Sequence, residues 1–294
     1  MTLPRVDNIV QLPDGRRLAY AEYGDMASTP VFVFHGFPGS RLSWGLLPGD
    51  PFPPGLRIVA PDRPGYGRSD PNPGGTLLDW ADDVAELADA LDVDRFAVVG
   101  VSGGGPGALA CAWAMPDRIR SVGVVSGAAP TNAPGVFEGM SKTNRFFMKL
   151  AWRLPWLSEL NIHLVGLVIR RNPARYLNSM KLKVHDVDRE ILARPDIQEM
   201  LTQDFAEALR GGANGMATDM AANHGRPWDF PLDNIEAKVL LWYCALDRSV
   251  PPAMGTYLND AIPGSQFRLV SDAGHLWILL HLREVLNAVL MVSD

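Results

Sequence analysis

Short, unbroken apolar runs alternate with Gly- and Pro-rich segments over the first half of the chain. Alternating positions on both sides of Leu12-Pro13-Asp14-Gly15 predict a hairpin. Val31–Phe34 and Leu56–Ala60 are continuous apolar runs that end at His35-Gly36-Phe37-Pro38-Gly39 and Pro61-Asp62-Arg63-Pro64-Gly65. Strands with no polar alternation are buried on both faces, which is the signature of a parallel sheet covered by helices. Thr76–Leu91 carries one apolar stripe (Leu77, Trp80, Ala81, Val84, Leu87, Ala88, Leu91), with Thr76 placed to cap the first turn and Asp79 three residues later. Strand Phe96–Val99, a small-residue helix through Ala114 and strand Val122–Val125 follow. This alternation predicts right-handed βαβ crossovers and an α/β fold.

The rhythm then changes. From Pro130 to Pro231 there are helical pieces and breakers but no convincing strand. Strand character returns at Val239–Tyr243 and Phe267–Val270, and the chain closes on a Leu- and Val-rich helix. The expected division is therefore a sheet-based core at 1–129 and 232–294, interrupted by a helical cap insertion at 130–231.

Composition narrows the function classes. With 47% hydrophobic and 20% charged residues the chain can build a full core. A net charge of −6 gives no basis for nucleic-acid binding. Cys111 and Cys244 both sit in apolar runs and read as buried free thiols. No apolar secretory h-region and no apolar run of about 18 residues occurs, so a cytoplasmic location is expected.

The chemistry concentrates in three places. Gly100-Val101-Ser102-Gly103-Gly104 is a G-x-S-x-G segment between a strand and a helix, the context in which this motif presents a serine hydroxyl at a sharp turn. The rival reading, a dinucleotide-binding loop at Gly103-x-Gly105, lacks an acid at the end of the next strand, where Ser126 and Gly127 stand. A serine needs a base, and His275 follows the last strand in Asp272-Ala273-Gly274-His275-Leu276. The base needs an orienting acid. Asp247 follows the penultimate strand, and no carboxylate lies between Ser126 and Pro134. The predicted catalytic set is Ser102, Asp247 and His275. For the oxyanion, Gly103 N–H is one expected donor and Phe37 N–H the other, because Pro38 has no N–H; His35 and Gly36 are expected to support that loop.

HGFPG at 35–39, DRPGYGRSD at 62–70, GVSGGGPGALA at 100–110, LDRSVPP at 246–252 and DAGHL at 272–276 resemble the α/β-hydrolase superfamily over nearly the full chain. The resemblance implies an eight-stranded, mostly parallel sheet flanked by helices, a helical cap and a triad that works without metal or cofactor. Ser102 stands where haloalkane dehalogenases and many epoxide hydrolases carry aspartate, which argues against both. Gly103 departs from the Trp typical of proline iminopeptidases at that position. The expected activity is hydrolysis of a carboxylic ester, lactone or thioester of a small to medium hydrophobic molecule through an acyl-enzyme. The alternative is a ligand-binding receptor on the same fold with slow or no turnover.

The insertion is unusual in charge. Between Met140 and Lys183 nine basic residues (Lys142, Arg145, Lys149, Arg153, Arg170, Arg171, Arg175, Lys181, Lys183) face one acid, Glu159, with Phe, Trp and Leu interleaved. The plain reading is a solvated basic face. The sharper reading is a lid that touches anionic lipid or anionic substrates. Nothing in the sequence fixes an oligomeric state.

Overall fold

The computed structural model describes residues 5–292. β1 (Arg5–Gln11) and β2 (Arg17–Gly24) form the antiparallel hairpin expected around Pro13-Asp14-Gly15. β3 (Thr29–Phe34), β4 (Leu56–Pro61), β5 (Phe96–Val101), β6 (Ile119–Val125), β7 (Lys238–Cys244) and β8 (Gln266–Val270) complete one sheet of eight strands in the order β1-β2-β4-β3-β5-β6-β7-β8. β2 pairs antiparallel with β4, and every pairing from β4 onward is parallel.

The unbroken apolar runs now have their reason. Phe32, Phe34, Phe96, Val98, Leu241 and Tyr243 pack into one core, while Val31, Val33, Ala97, Val99, Leu240 and Trp242 pack into a second core on the opposite face. Alternate residues of each strand thus point to different cores, and both must be apolar. α1 (Leu77–Ala90) and α2 (Gly105–Ala114) cover the first face with α9 (Pro252–Ala261), and α10 (Ile278–Met291) covers the second. Thr76 and Asp79 form the reciprocal capping bonds at the start of α1.

Between β6 and β7 the chain runs through α3 (Lys142–Arg153), α4 (Pro155–Arg171), α5 (Pro173–Lys181), α6 (Asp186–Ala193), α7 (Pro195–Ala208) and α8 (Asn214–His224), with no strand among these residues. Pro155, Pro173 and Pro195 each begin a helix, where a missing N–H removes no helical bond. Cys111 and Cys244 are buried and free. Among the described residues no helix is long and apolar enough to cross a membrane.

Candidate active site

Four strands end at one edge of the sheet, and each delivers one part of the site. β5 runs into Ser102, which takes a left-handed φ of 52° in a short 3-10 turn before α2 begins. That conformation costs a non-glycine residue about 1 kcal/mol or more and persists only where the surroundings enforce it. The enforcement is steric. A Cβ on Gly100 would lie 2.5 Å from the Gly104 carbonyl oxygen, and one on Gly104 would lie 2.7 Å from that of His35. Both glycines of the motif are therefore demanded by close backbone approach.

β7 leads to Asp247 and β8 to His275. Ala245 N–H donates to Val270 O and Leu246 N–H to Ala273 O, at 2.9 Å each, which ties the two loops side by side. Asp247 is buried. Its Oδ1 accepts from the N–H groups of Ser249 (2.7 Å) and Val250 (3.0 Å), leaving Oδ2 for His275 Nδ1 at 2.7 Å. Because that nitrogen meets a carboxylate, it carries the proton, and Nε2 is free to accept from Ser102 Oγ at 3.0 Å. Burial pulls the His275 imidazole down, but the charge and hydrogen bond of Asp247 outweigh it, with a smaller push from Asp188. The net shift is upward from 6.5. The three residues singled out in the sequence thus stand in one hydrogen-bonded line.

β3 leads to the loop of His35, Gly36 and Phe37. The Phe37 N–H lies 3.7 Å from where a Cβ of Gly103 would stand, so the two expected donors flank the same small space. Among the described residues no backbone acceptor takes the N–H of Phe37 or of Gly103. His35 is fully buried. Its Nδ1 donates to Gly36 O at 2.9 Å, and its Nε2 accepts from Arg63 N–H at 3.2 Å. Burial first, and then the Arg63 charge, hold this imidazole well below 6.5, so it stays neutral. Its two bonds tie this loop to Arg63.

Sequence reasoning missed five residues that fix these parts in place. Arg63 Nη1 donates to His35 O, and its Nη2 donates to Gly36 O at 3.1 Å and to Asp219 Oδ2 at 2.6 Å. Tyr66 OH donates to the same Asp219 oxygen at 2.8 Å. Asn223 Nδ2 donates to Gly103 O at 3.0 Å. Asp219 and Asn223 both lie on α8, which therefore holds both sides of the space between Phe37 and Gly103. Asp188, on α6, accepts from His275 N–H at 2.9 Å and Leu276 N–H at 2.8 Å. A Cβ on Gly274 would lie 2.4 Å from that carboxylate, so Gly274 is what lets Asp188 approach. Arg63 and Tyr66 had a signal, since both stand within the 62–70 motif; the other three had none.

The DRPGYGRSD segment is itself a folded unit. Asp62 is fully buried and accepts from the N–H groups of Arg41 (2.6 Å) and Arg68 (3.0 Å), and from Arg41 Nη1 (2.9 Å). Gly67, at φ 52°, is required because a Cβ there would lie 2.1 Å from Asp62 Oδ2.

This fold and this edge-built site belong together. The chain is a member of the alpha/beta hydrolase fold family, whose pattern matches residues 29–282. It is similar to the dihydrolipoyllysine-residue acetyltransferase component of the acetoin cleaving system of Cupriavidus necator, at 31% identity over 270 residues; the match covers 90% of this chain but 63% of that protein, less than two thirds of its length. It is also similar to a 2-hydroxy-6-oxononadienedioate/2-hydroxy-6-oxononatrienedioate hydrolase of Cupriavidus pinatubonensis, at 25% identity, covering 83% of this chain and 80% of that one. The solved structure of a thermophilic esterase from Thermogutta terrifontis superposes with a TM-score of 0.68 at 23% identity, covering 99% of both chains.

Proposed function

We propose that this protein is a serine hydrolase that cleaves a carboxylic ester, lactone or thioester of a small to medium hydrophobic molecule through an acyl-enzyme on Ser102. The observation that carries this reading is the continuous line Asp247 Oδ2–His275 Nδ1 at 2.7 Å and His275 Nε2–Ser102 Oγ at 3.0 Å, ending on a serine held at a left-handed φ. His275 removes the hydroxyl proton as Ser102 attacks the acyl carbon. Asp247 holds the imidazole in the required tautomer and stabilises the imidazolium. The N–H groups of Gly103 and Phe37 receive the developing oxyanion. His275 then returns the proton to the leaving alcohol, and water repeats the sequence in reverse. Relatives named for acetyl transfer and for hydrolysis are consistent with one shared step, attack on an acyl carbon.

A fluorophosphonate tests nucleophile, base and oxyanion space together, without the natural substrate. The expected result is one adduct, mapped to Ser102 by peptide mass spectrometry, slowed sharply in His275→Ala and absent in Ser102→Ala. The serine variant should also lose up to about 10⁶ in p-nitrophenyl ester turnover. A folded protein that stays unlabelled would favour the receptor reading, and a label on another serine would overturn the assignment.

A further inference from the structure

The outward side of α4 is built as an interface. Its inner face is settled: Ser158, Ile162, Gly166 and Ile169 are buried, and a Cβ on Gly166 would lie 2.4 Å from Ala213 Cβ, so the helix is pressed against the start of α8. Its outer face is apolar as well. Trp156 is 67% exposed, and Leu160, Leu164, Leu167 and Val168 are between 40 and 55% exposed. At about 100° per residue these five fall within an arc of about 120°, along about 18 Å of helix. A helix apolar on both faces is normally covered on both, and a contiguous exposed patch of this kind marks a binding surface.

Charge says what covers it. Nine basic residues lie between 140 and 183 against the single acid Glu159, and that acid lies next to His163. Arg170 and Arg171 are exposed in the last turn of α4, and Lys149 and Arg153 are exposed on α3. Among the described residues the side-chain ion pairs within and beside this stretch are His163–Glu159 and Arg189–Asp186, so none of the nine cations has an acidic partner. A second copy docked on the same face would set nine unpaired cations against nine. A nucleic acid would leave the five apolar side chains uncovered. An anionic bilayer surface satisfies both halves at once: apolar side chains enter the headgroup boundary while Lys and Arg stay with the lipid charge.

We propose that α4 docks this protein on anionic lipid, with Trp156, Leu160, Leu164, Leu167 and Val168 entering the bilayer interface. This goes beyond the hydrolase reading and does not depend on it. The experiment is co-sedimentation with vesicles of phosphatidylcholine alone and of phosphatidylcholine with one third phosphatidylglycerol, at low and high salt. Binding should be at least tenfold stronger on the anionic vesicles and should weaken with salt. Arg170→Gln/Arg171→Gln should lower it roughly 25-fold, since each cation near the surface contributes roughly fivefold. Leu160→Ser/Leu164→Ser should lower it at least as much, with p-nitrophenyl ester turnover and Tm unchanged. Four vesicle and competitor results would overturn the proposal, and a dimer would as well. They are equal binding to both vesicles, no binding, full binding by the leucine variant, or equal affinity for soluble polyglutamate, which would point to an acidic protein. A concentration-dependent dimer that the leucine variant dissolves would assign the face to a second copy instead.

Discussion

The helices between β6 and β7 divide into two regions of opposite character. In α6, α7 and α8 five polar residues point inward and are matched. Asp188 holds the backbone of His275, Asp219 holds Arg63, and Asn223 holds Gly103. On α7, Asp204 accepts from Ser40 N–H and from the hydroxyls of Ser40 and Ser43, and Glu207 pairs with Arg41 at 2.6 Å. All five polar residues are nearly or fully enclosed. On α3 and α4 the pattern is inverted, with large apolar side chains and cations that lack an acidic partner facing outward. The difference teaches that one stretch of chain does two jobs. Its second half packs against the site from outside the sheet, and its first half leaves an apolar and basic face open to solvent.

Asp219→Ala is the hardest blow to the inner region. It leaves the Arg63 guanidinium, 4% exposed, without its carboxylate, and an orphaned buried charge costs on the order of 3 kcal/mol. Denaturant unfolding should show a loss of that size. A loss below about 0.5 kcal/mol would mean that the His35 and Gly36 carbonyls suffice for Arg63, and that α8 is not a clamp.

How much of this was legible follows from where the constraints lie along the chain. The elbow glycines and the Asp62 loop sit in compact motifs, and Asp247 and His275, although His275 lies 173 residues from Ser102, each stand in a loop just after a strand, where position and chain order mark them. The two-sided burial of the strands leaves unbroken apolar runs. The clamps leave no trace. Asp188 lies 87 residues from His275, Asn223 lies 120 from Gly103, and Asp219 lies 156 from Arg63. A lone Asp or Asn in a polar helix looks the same whether it faces water or a backbone N–H across the fold. The basic and apolar mixture of 140–183 was visible, but its sidedness was not: periodicity cannot tell which face of α4 meets Ala213.

Asp188→Asn should have the next largest effect. The asparagine keeps one acceptor for the two N–H groups of His275 and Leu276 and places an NH₂ against the other. We expect ester turnover to fall roughly 10- to 100-fold, as loss of a supporting partner does at comparable sites, with the fold retained. A pH profile separates positioning from mere damage. If His275 is the base, it must be neutral to act, and the acid limb of the wild-type kcat/KM profile is expected above 6.5, in the direction of the shift. Asp188 contributes to that upward shift, so its neutralisation should move the limb down. Gly274→Ala pushes the same carboxylate away without removing its charge. It should lower turnover while moving the limb less.

The smallest effect belongs to the outer region, and it is the sharpest test of the division. Replacing Leu164 with Ser in α4 removes apolar surface that is already 55% exposed, so little burial is lost on folding. Surface changes away from packing or paired charges stay within about 0.5 kcal/mol, and Tm should move by no more than a degree or two. Turnover of a water-soluble ester should stay within about twofold, because no hydrogen bond from α4 reaches Ser102, Asp247 or His275 among the described residues. The inner residues behave oppositely, since each is bonded to the backbone or a buried charge of the site. A Leu164→Ser protein that loses stability or soluble-substrate turnover as Asp188→Asn does would show that the outer face is packed in solution. The two regions would then be one continuous support for the site.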